Sequence, residues 1–307
     1  MENIYDVLII GGGPAGYSAA LYAARAGLKT AVLEKMSAGG QMALTDTIDN
    51  YPGFEEGVEG FALGFKMQTQ AERFGAQSLY GTVESVDLVA SPKKIVADSG
   101  EYFAKSVIIA TGADPQKLGL ENEDAFTGMG IHYCAHCDGR FYMDKTVVVV
   151  GGGNSAAEDA LYLAGLAKKV YLVHRRDTLR ASKIYHKPVI ENEKIVKLWN
   201  SQVVGFEAEG HVKSIKVKNL LTEEVENIEA DALFVSIGRK PVTEYLGDSV
   251  AVDKSGYIVA DETTKTSIPG VFAAGDIRTK ALRQVVTAAA DGAVAAHFAE
   301  IYLQENM

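Results

Sequence analysis

The only two cysteines in 307 residues stand within Cys134-Ala135-His136-Cys137-Asp138-Gly139. Two thiols separated by two residues can close a disulfide, reopen it, and exchange with a disulfide elsewhere. Asp138 follows the second sulfur directly, and a carboxyl there can carry the proton that each exchange moves. The stretch also admits a metal reading, because His132, Cys134, His136 and Cys137 are four zinc-ligand types within six residues. Adjacent His136 and Cys137 have difficulty reaching one tetrahedral ion, and zinc sites use separated ligand pairs. Redox chemistry without a metal is the expectation.

A redox pair needs an electron source, and two glycine-rich turns offer one. The apolar run Asp6-Val-Leu-Ile-Ile10 fits a buried parallel strand and leads into Gly11-Gly12-Gly13-Pro14-Ala15-Gly16. An alanine-rich helix to about Ala26, a closing Gly27 and a strand Thr30–Leu33 follow, ending at Glu34, 21 residues after Gly13. This is a dinucleotide fingerprint. Gly11 makes the tight turn, Gly13 admits a pyrophosphate, Gly16 lets helix pack on strand, and Glu34 can bond a ribose hydroxyl. Residues 58–74 suit an amphipathic helix, and 78–110 read as short strands returning to the sheet at Val107–Ala110, before the turn Thr111-Gly112.

The layout recurs 140 residues on. Thr146–Val150 leads into Gly151-Gly152-Gly153-Asn154-Ser155-Ala156, a helix to about Ala167 and a strand Val170–Val173. The residue 21 after Gly153 is His174, followed by Arg175, Arg176 and, four further on, Arg180. Loss of the carboxylate and gain of guanidinium groups suit a ribose 2′-phosphate, which Arg pairs with well. The strand Asp231–Gly238 closes this copy. A last strand ending at Gly275-Asp276, with an acid suited to cap a helix, precedes a long helix from Arg283 to about Leu303. The expected fold is α/β, with two Rossmann-like dinucleotide-binding domains. The second, over 116–243, is inserted into the first, over 1–115 and 244–307.

Charge and composition narrow the partners. A net charge of −10 disfavours nucleic acid or an anionic membrane. No apolar run approaches the ~20 residues that span a bilayer. The start, Met1-Glu2-Asn3-Ile4-Tyr5-Asp6, lacks the cationic segment of a secretory leader. A cytoplasmic chain is expected, where a lone cysteine pair reads as catalytic or metal-binding rather than as a structural staple.

Jointly and in this order, the motifs resemble those of the low-molecular-weight thioredoxin reductases over essentially the whole chain. The resemblance rests on Gly11–Gly16, Gly39-Gly40-Gln41, Thr111-Gly112, the Cys134–Gly139 motif, His174-Arg175-Arg176 with Arg180, and Gly275-Asp276 with Arg283-Gln284. It implies FAD on the first module, NADPH on the second, a homodimer, and thioredoxin or a related redoxin as acceptor. It implies flavin contacts for Gly11, Gly13, Pro14, Ala15, Gly16, Glu34, Lys35, Gly40, Gln41, Asn50, Thr111 and Gly112. Gly275 and Asp276 would meet its ribityl and phosphate region, and Arg283, Gln284 and Val285 its ring end. NADPH would fall to Gly151, Gly153, Asn154, Ser155, Ala156, His174, Arg175, Arg176 and Arg180. Cys137 would face the flavin, Cys134 would attack the partner disulfide, and Asp138 would move the proton. The resemblance also implies rotation between the modules, hinged near Asp114-Pro115 and Lys240-Pro241. Two departures stand out: His136 where the family usually has a smaller residue, and Ala290 where Gly is common. Alternative readings are a reductase of a glutaredoxin-like or peroxiredoxin-linked redoxin, and a flavin redox sensor without turnover.

Overall fold

The strand Ile4–Ile10 has a neighbour on each edge that pairs its backbone, and cores on both faces bury five of its seven side chains, Val7 and Ile9 on one and Tyr5, Leu8 and Ile10 on the other. The structure is a computed structural model that describes residues 4–45 and 47–306. The first three residues, part of the acidic start, lie outside them. The chain divides into two compact units, one ending at Asp114 and resuming at Lys240, the other Pro115–Arg239.

In the first unit, the parallel strands run 77–80, 30–34, 4–10 and 100–109, with Val271–Ala273 on the far side of the last. The ten-residue strand Gly100–Ile109 serves three partners. Residues 100–104 pair antiparallel with Lys93–Ala97, residues 103–109 run parallel to Ile4–Ile10, and residues 107–109 run parallel to Val271–Ala273. The region read as a meander thus begins with a strand of the parallel sheet itself, Gln77–Tyr80. Register sets Ile10, Leu33, Ile109 and Ala273 at one level, so four strand ends open on the same edge of the sheet. Ligands of open α/β sheets bind beyond that edge.

Helices Pro14–Arg25 and Val285–Glu305 cover one face, and their small residues allow a close approach. Ala15, Ala19, Ala20, Ala288, Ala295, Ala296 and Ala299 are all buried between them and the sheet. A Cβ on Gly292 would stand 2.1 Å from the Ala15 carbonyl oxygen, so only glycine fits there. The fully buried Ile9, Val32 and Ile108 beneath each contribute about 1.5–3 kcal/mol. The long helix is capped by Gln284, whose side chain and that of Thr287 exchange backbone hydrogen bonds. Asp276 is therefore not its cap, and sits instead in a tight turn over Gly275–Ile277.

In the second unit, five parallel strands run 195–198, 169–173, 146–150, 232–235 and 131–132. Helix Asn154–Leu166 packs Ala156, Ala157, Ala160, Leu163 and Ala164 onto the valines of Thr146–Val150. A three-stranded antiparallel sheet, 201–208, 212–219 and 225–229, covers the opposite side through Val203, Ile215 and Val217. Among the described residues, no helix is long and apolar enough to cross a membrane.

Candidate active site

Cys134 and Cys137 are joined in a disulfide, with Cα atoms 5.3 Å apart. Cys134 caps a four-residue helical turn, Ala135–Asp138, its Sγ accepting the Cys137 N–H at 3.2 Å. The Asp138 N–H reaches the Cys134 carbonyl at 3.1 Å, which closes the turn. This turn lies on helix Asn154–Leu166, because Gly139 presses so close that a Cβ there would meet Leu163 and Tyr162 within 3.0 Å. Both cysteines are half-buried, whereas His136 projects outward against the Tyr162 ring at 4.2 Å. Asp138 turns away from bulk water, and its Oδ2 meets His132 Nδ1 at 3.0 Å. With both sulfurs joined, neither is a free thiolate ligand. Among the described residues no group of three or more His, Cys, Asp or Glu could hold a metal ion.

The first glycine turn is shaped by contacts that exclude side chains. Gly11 has φ +103, and a Cβ there would stand 2.5 Å from the Ala110 oxygen. A Cβ on Gly16 would stand 1.9 Å from the Gly11 oxygen. Gly13 is nearly open on its side-chain face, where an added Cβ would stand no nearer than 4.0 Å, from the Gly39 oxygen. Glu34 Oε2 accepts the Gly12 N–H at 2.6 Å, and its other oxygen accepts Met36 N–H at 3.0 Å. Lys35 is exposed at the end of that strand.

Distant segments converge on this turn. Gly39 N–H reaches the Gly12 carbonyl at 2.8 Å, bringing Gly40 and Gln41 alongside, and Gln41 donates to Asp114 at 2.8 Å. Asn50 donates to Gln284 Oε1 at 3.0 Å across 234 residues of sequence. Thr111 donates its hydroxyl to the Val242 carbonyl at 2.9 Å, beside Gly112. Ala274 N–H reaches Ile109 O at 2.9 Å, and Gly275 comes so near Ala15 that an added Cβ would stand 2.9 Å from the Ala15 Cβ. Arg283 stacks 4.0 Å from the Tyr257 ring and donates to the Asp276 and Arg278 carbonyls. Val285 begins the long helix and packs toward Met42, Ile48 and Leu63.

Beneath Gly275 lies a buried ion cluster. Asp291 accepts the Gly275 N–H at 2.9 Å, two bonds from Arg278 at 2.9 and 2.8 Å, and one from Lys280 at 2.8 Å. Burial alone pushes this carboxyl up, but the Arg278 and Lys280 bonds outweigh it and hold it below the usual range. The cluster sets the turn that carries Asp276.

The second glycine turn repeats the first in backbone. Gly151 has φ +148, and a Cβ there would stand 2.3 Å from the Ser236 oxygen. Its N–H reaches Val173 O at 3.0 Å, as Gly11 reaches Leu33 at 2.9 Å. A Cβ added to Gly153 would meet nothing within 4 Å. Ala156, in place of a third glycine, is fully buried, while Asn154 and Ser155 are exposed at the helix start. Asn154 accepts the Ser182 N–H at 2.7 Å. His174 lies over Gly152, where an added Cβ would stand 2.1 Å from its ring, and its Nε2 is buried without a partner. Burial, then Arg180, Arg176 and Arg175, push its pKa below the ordinary histidine value. Those three arginines are exposed, and Arg180 N–H ties their loop to the Gly152 carbonyl at 2.7 Å.

Residues 5–292 match the pyridine nucleotide-disulphide oxidoreductase family. The chain belongs to that family. Within it, the chain is 46% identical over 312 residues to a thioredoxin reductase of Peptoclostridium acidaminophilum, covering 100% of this chain and 99% of that protein. It is 44% identical over 305 residues to a thioredoxin reductase of Bacillus subtilis, covering 99% and 96%. The solved thioredoxin reductase of Streptococcus pyogenes superimposes with a TM-score of 0.92 at 42% identity, covering 99% and 100%. These likenesses place the chain in the low-molecular-weight thioredoxin reductase branch of the oxidoreductases.

Membership of the pyridine nucleotide-disulphide oxidoreductases implies FAD and NADPH, and both turns fit such groups. Each leaves open space at the glycine where a pyrophosphate approaches, Gly13 and Gly153. One turn ends on a carboxylate suited to a ribose hydroxyl, the other on a neutral imidazole with an unsatisfied nitrogen among three guanidinium groups. Sequence reasoning missed the Asp291 cluster, and it weighed His132 only as a metal ligand. The spacing of 13 residues between Arg278 and Asp291 carries no signal, since neither lies in a periodic motif.

Proposed function

We propose that this chain is a thioredoxin-disulfide reductase in which the unit ending at Asp114 and resuming at Lys240 holds FAD. The unit Pro115–Arg239 would hold NADPH and carry the dithiol. What supports it best is the Cys134–Cys137 disulfide beside Asp138, in a chain 46% identical along its full length to a thioredoxin reductase. When bound, NADPH supplies a hydride, and FAD relays its two electrons as a pair to a disulfide.

The turn Gly11–Gly16 with Glu34 would bind the flavin dinucleotide through backbone N–H groups and the carboxylate. Gly40, Gln41, Asn50, Thr111, Gly112, Gly275, Asp276 and Arg283–Val285 would complete its surround. Gly151–Ala156 with His174, Arg175, Arg176 and Arg180 would hold the nicotinamide dinucleotide and its 2′-phosphate. In the reduced pair, the Cys137 N–H that now meets Cys134 Sγ would favour the Cys134 thiolate, making it the attacking sulfur. Cys137 would then resolve the mixed disulfide, and Asp138 would give and take the proton. The acceptor is thioredoxin, and the enzyme works as a cytoplasmic homodimer.

The test is turnover of purified yellow protein with NADPH, thioredoxin and a chromogenic disulfide. Cys134→Ser and Cys137→Ser should each abolish redoxin reduction while NADPH still bleaches the flavin. Near-normal redoxin reduction by either variant would refute the dithiol mechanism.

A further inference from the structure

We propose that His132, Tyr142 and His211 form a proton path from solvent to Asp138, an inference that rests on the disulfide-reductase reading. The four groups make one unbroken line inside the second unit. His211 Nε2 lies 3.3 Å from the Tyr142 hydroxyl, which lies 2.8 Å from His132 Nε2, and His132 Nδ1 lies 3.0 Å from Asp138 Oδ2. His211 is exposed in the hairpin between strands Ser201–Ala208 and Val212–Asn219, whereas His132 and Tyr142 are 4% and 5% exposed. The line therefore begins in water and ends at Asp138, the residue after Cys137 in the chain.

The polarity of the line follows from its end groups. A carboxylate accepts only, so His132 must donate from Nδ1, which leaves its Nε2 to accept. Tyr142 then donates to His132, and its oxygen accepts from His211. Every hydrogen points toward Asp138. Burial first, then the charges of Asp138 and Asp231, push the Tyr142 phenol up to about 12, so its hydrogen is present at neutral pH. Phe234 stacks on His132 at 5.2 Å and meets Tyr142 edge-on at 5.7 Å, which holds both rings in line and keeps water out. Asp138, Asp231 and His211 are ionisable groups that face this stretch, with Lys145 paired to Asp231 at 3.7 Å.

Proton balance gives the line a use. A hydride brings two electrons and one proton, but two thiols need two protons. Exchange between the reduced pair and a partner disulfide moves protons among sulfurs with no net uptake. The missing proton enters when the Cys134–Cys137 bond breaks and the electron pair settles on the sulfurs. Asp138 gives a proton to one sulfur, and the line refills Asp138 from water.

Two measurements test this. Imidazole 15N NMR of the holoenzyme should show His132 as the Nδ1–H tautomer at neutral pH, and an Nε2–H tautomer would overturn the path. In turnover assays, Tyr142→Phe keeps the ring and removes the hop. It should lower kcat about tenfold with little change in KM, enlarge the solvent deuterium effect, and recover with added imidazole. Flavin reduction by NADPH in a single turnover is the control. If Tyr142→Phe fails to retain flavin, His211→Gln at the exposed mouth should still show a smaller loss rescued by imidazole. Turnover, isotope effect and pH profile equal to the unmodified enzyme would overturn the path alone. Absence of any disulfide reduction by the unmodified holoenzyme would instead overturn the functional reading beneath it.

Discussion

At Gly12 a carboxylate takes the backbone N–H at 2.6 Å, whereas at Gly152 a neutral imidazole lies over the same point of an equivalent turn. The two turns share backbone down to individual bonds, since Gly11 and Gly151 each reach the end of the neighbouring strand. The shared backbone geometry would suit a phosphate in both turns, and the side chain at the next strand end is what differs between them. On the proposed reading, Glu34 would suit a ribose hydroxyl, and His174 with three arginines would suit a second phosphate. The strand order is also shared, yet the fifth strand comes last in one unit, Val271–Ala273, and first in the other, Ile131–His132. That swap places the redox motif immediately after a sheet strand in the second unit only.

The largest effect should come from adding one methyl to the first turn. Gly16→Ala puts a Cβ 1.9 Å from the Gly11 oxygen. The backbone must move, at a cost of roughly 3 kcal/mol or more. The protein should then be recovered colourless or insoluble, while Ala156→Gly in the second turn keeps its flavin. Equal flavin content in both variants would erase the distinction between the turns.

Next is the arginine cluster. Charge-assisted bonds are worth roughly 1.5–3 kcal/mol each, and about 1.4 kcal/mol is tenfold. Arg175→Ala with Arg176→Ala should raise the KM for NADPH by roughly 10–100-fold and leave that for NADH nearly unchanged. Parallel losses for both nucleotides would show that the arginines do not read the 2′-phosphate.

Glu34→Gln is a smaller perturbation, because the amide oxygen can still accept from Gly12, while the charge and the acceptor for the Met36 N–H are lost. A weakening of flavin affinity by roughly tenfold is expected, measured by reconstitution of apoprotein. Unchanged affinity would assign Glu34 to holding the turn alone.

The smallest effect concerns pH. The His174 ring titrates below the ordinary value of 6.5 because burial, then Arg180, Arg176 and Arg175, disfavour its charge. As pH falls, the unfolded chain takes its proton first, so this contribution is whole above about 6.5 and fades as pH drops toward the folded value. Thermal melts between about pH 7.5 and 5.5 should fall more steeply for the unmodified protein than for His174→Gln. Identical slopes would remove His174 from the account.

Much of this site was legible in the chain because its motifs are local. A tight turn that must admit a phosphate needs glycine at set positions, so Gly11–Gly16 and Gly151–Ala156 announce themselves. The Cys134–Asp138 spacing fits one helical turn for the same reason. The strands over 6–10, 146–150 and 170–173 were equally plain, since buried parallel strands demand unbroken apolar runs. Periodicity was less informative where one strand serves three partners, as Gly100–Ile109 does, because nothing in its pattern marks where antiparallel pairing gives way to parallel.

By itself, then, the sequence determined the two cradles, the sulfur pair and the change from carboxylate to arginine between the copies. Each depends on residues within one turn or one strand–helix unit. Tertiary structure alone decided that Asn50 meets Gln284, that Asp291 supports Gly275 through Arg278 and Lys280, and that His132 joins Asp138 to Tyr142 and His211. Those contacts depend on sheet register and helix packing, and their separations run from 6 residues for His132 and Asp138 to 234 for Asn50 and Gln284. Hydrogen bonds between single polar side chains leave no period in a sequence for such distances to be read from.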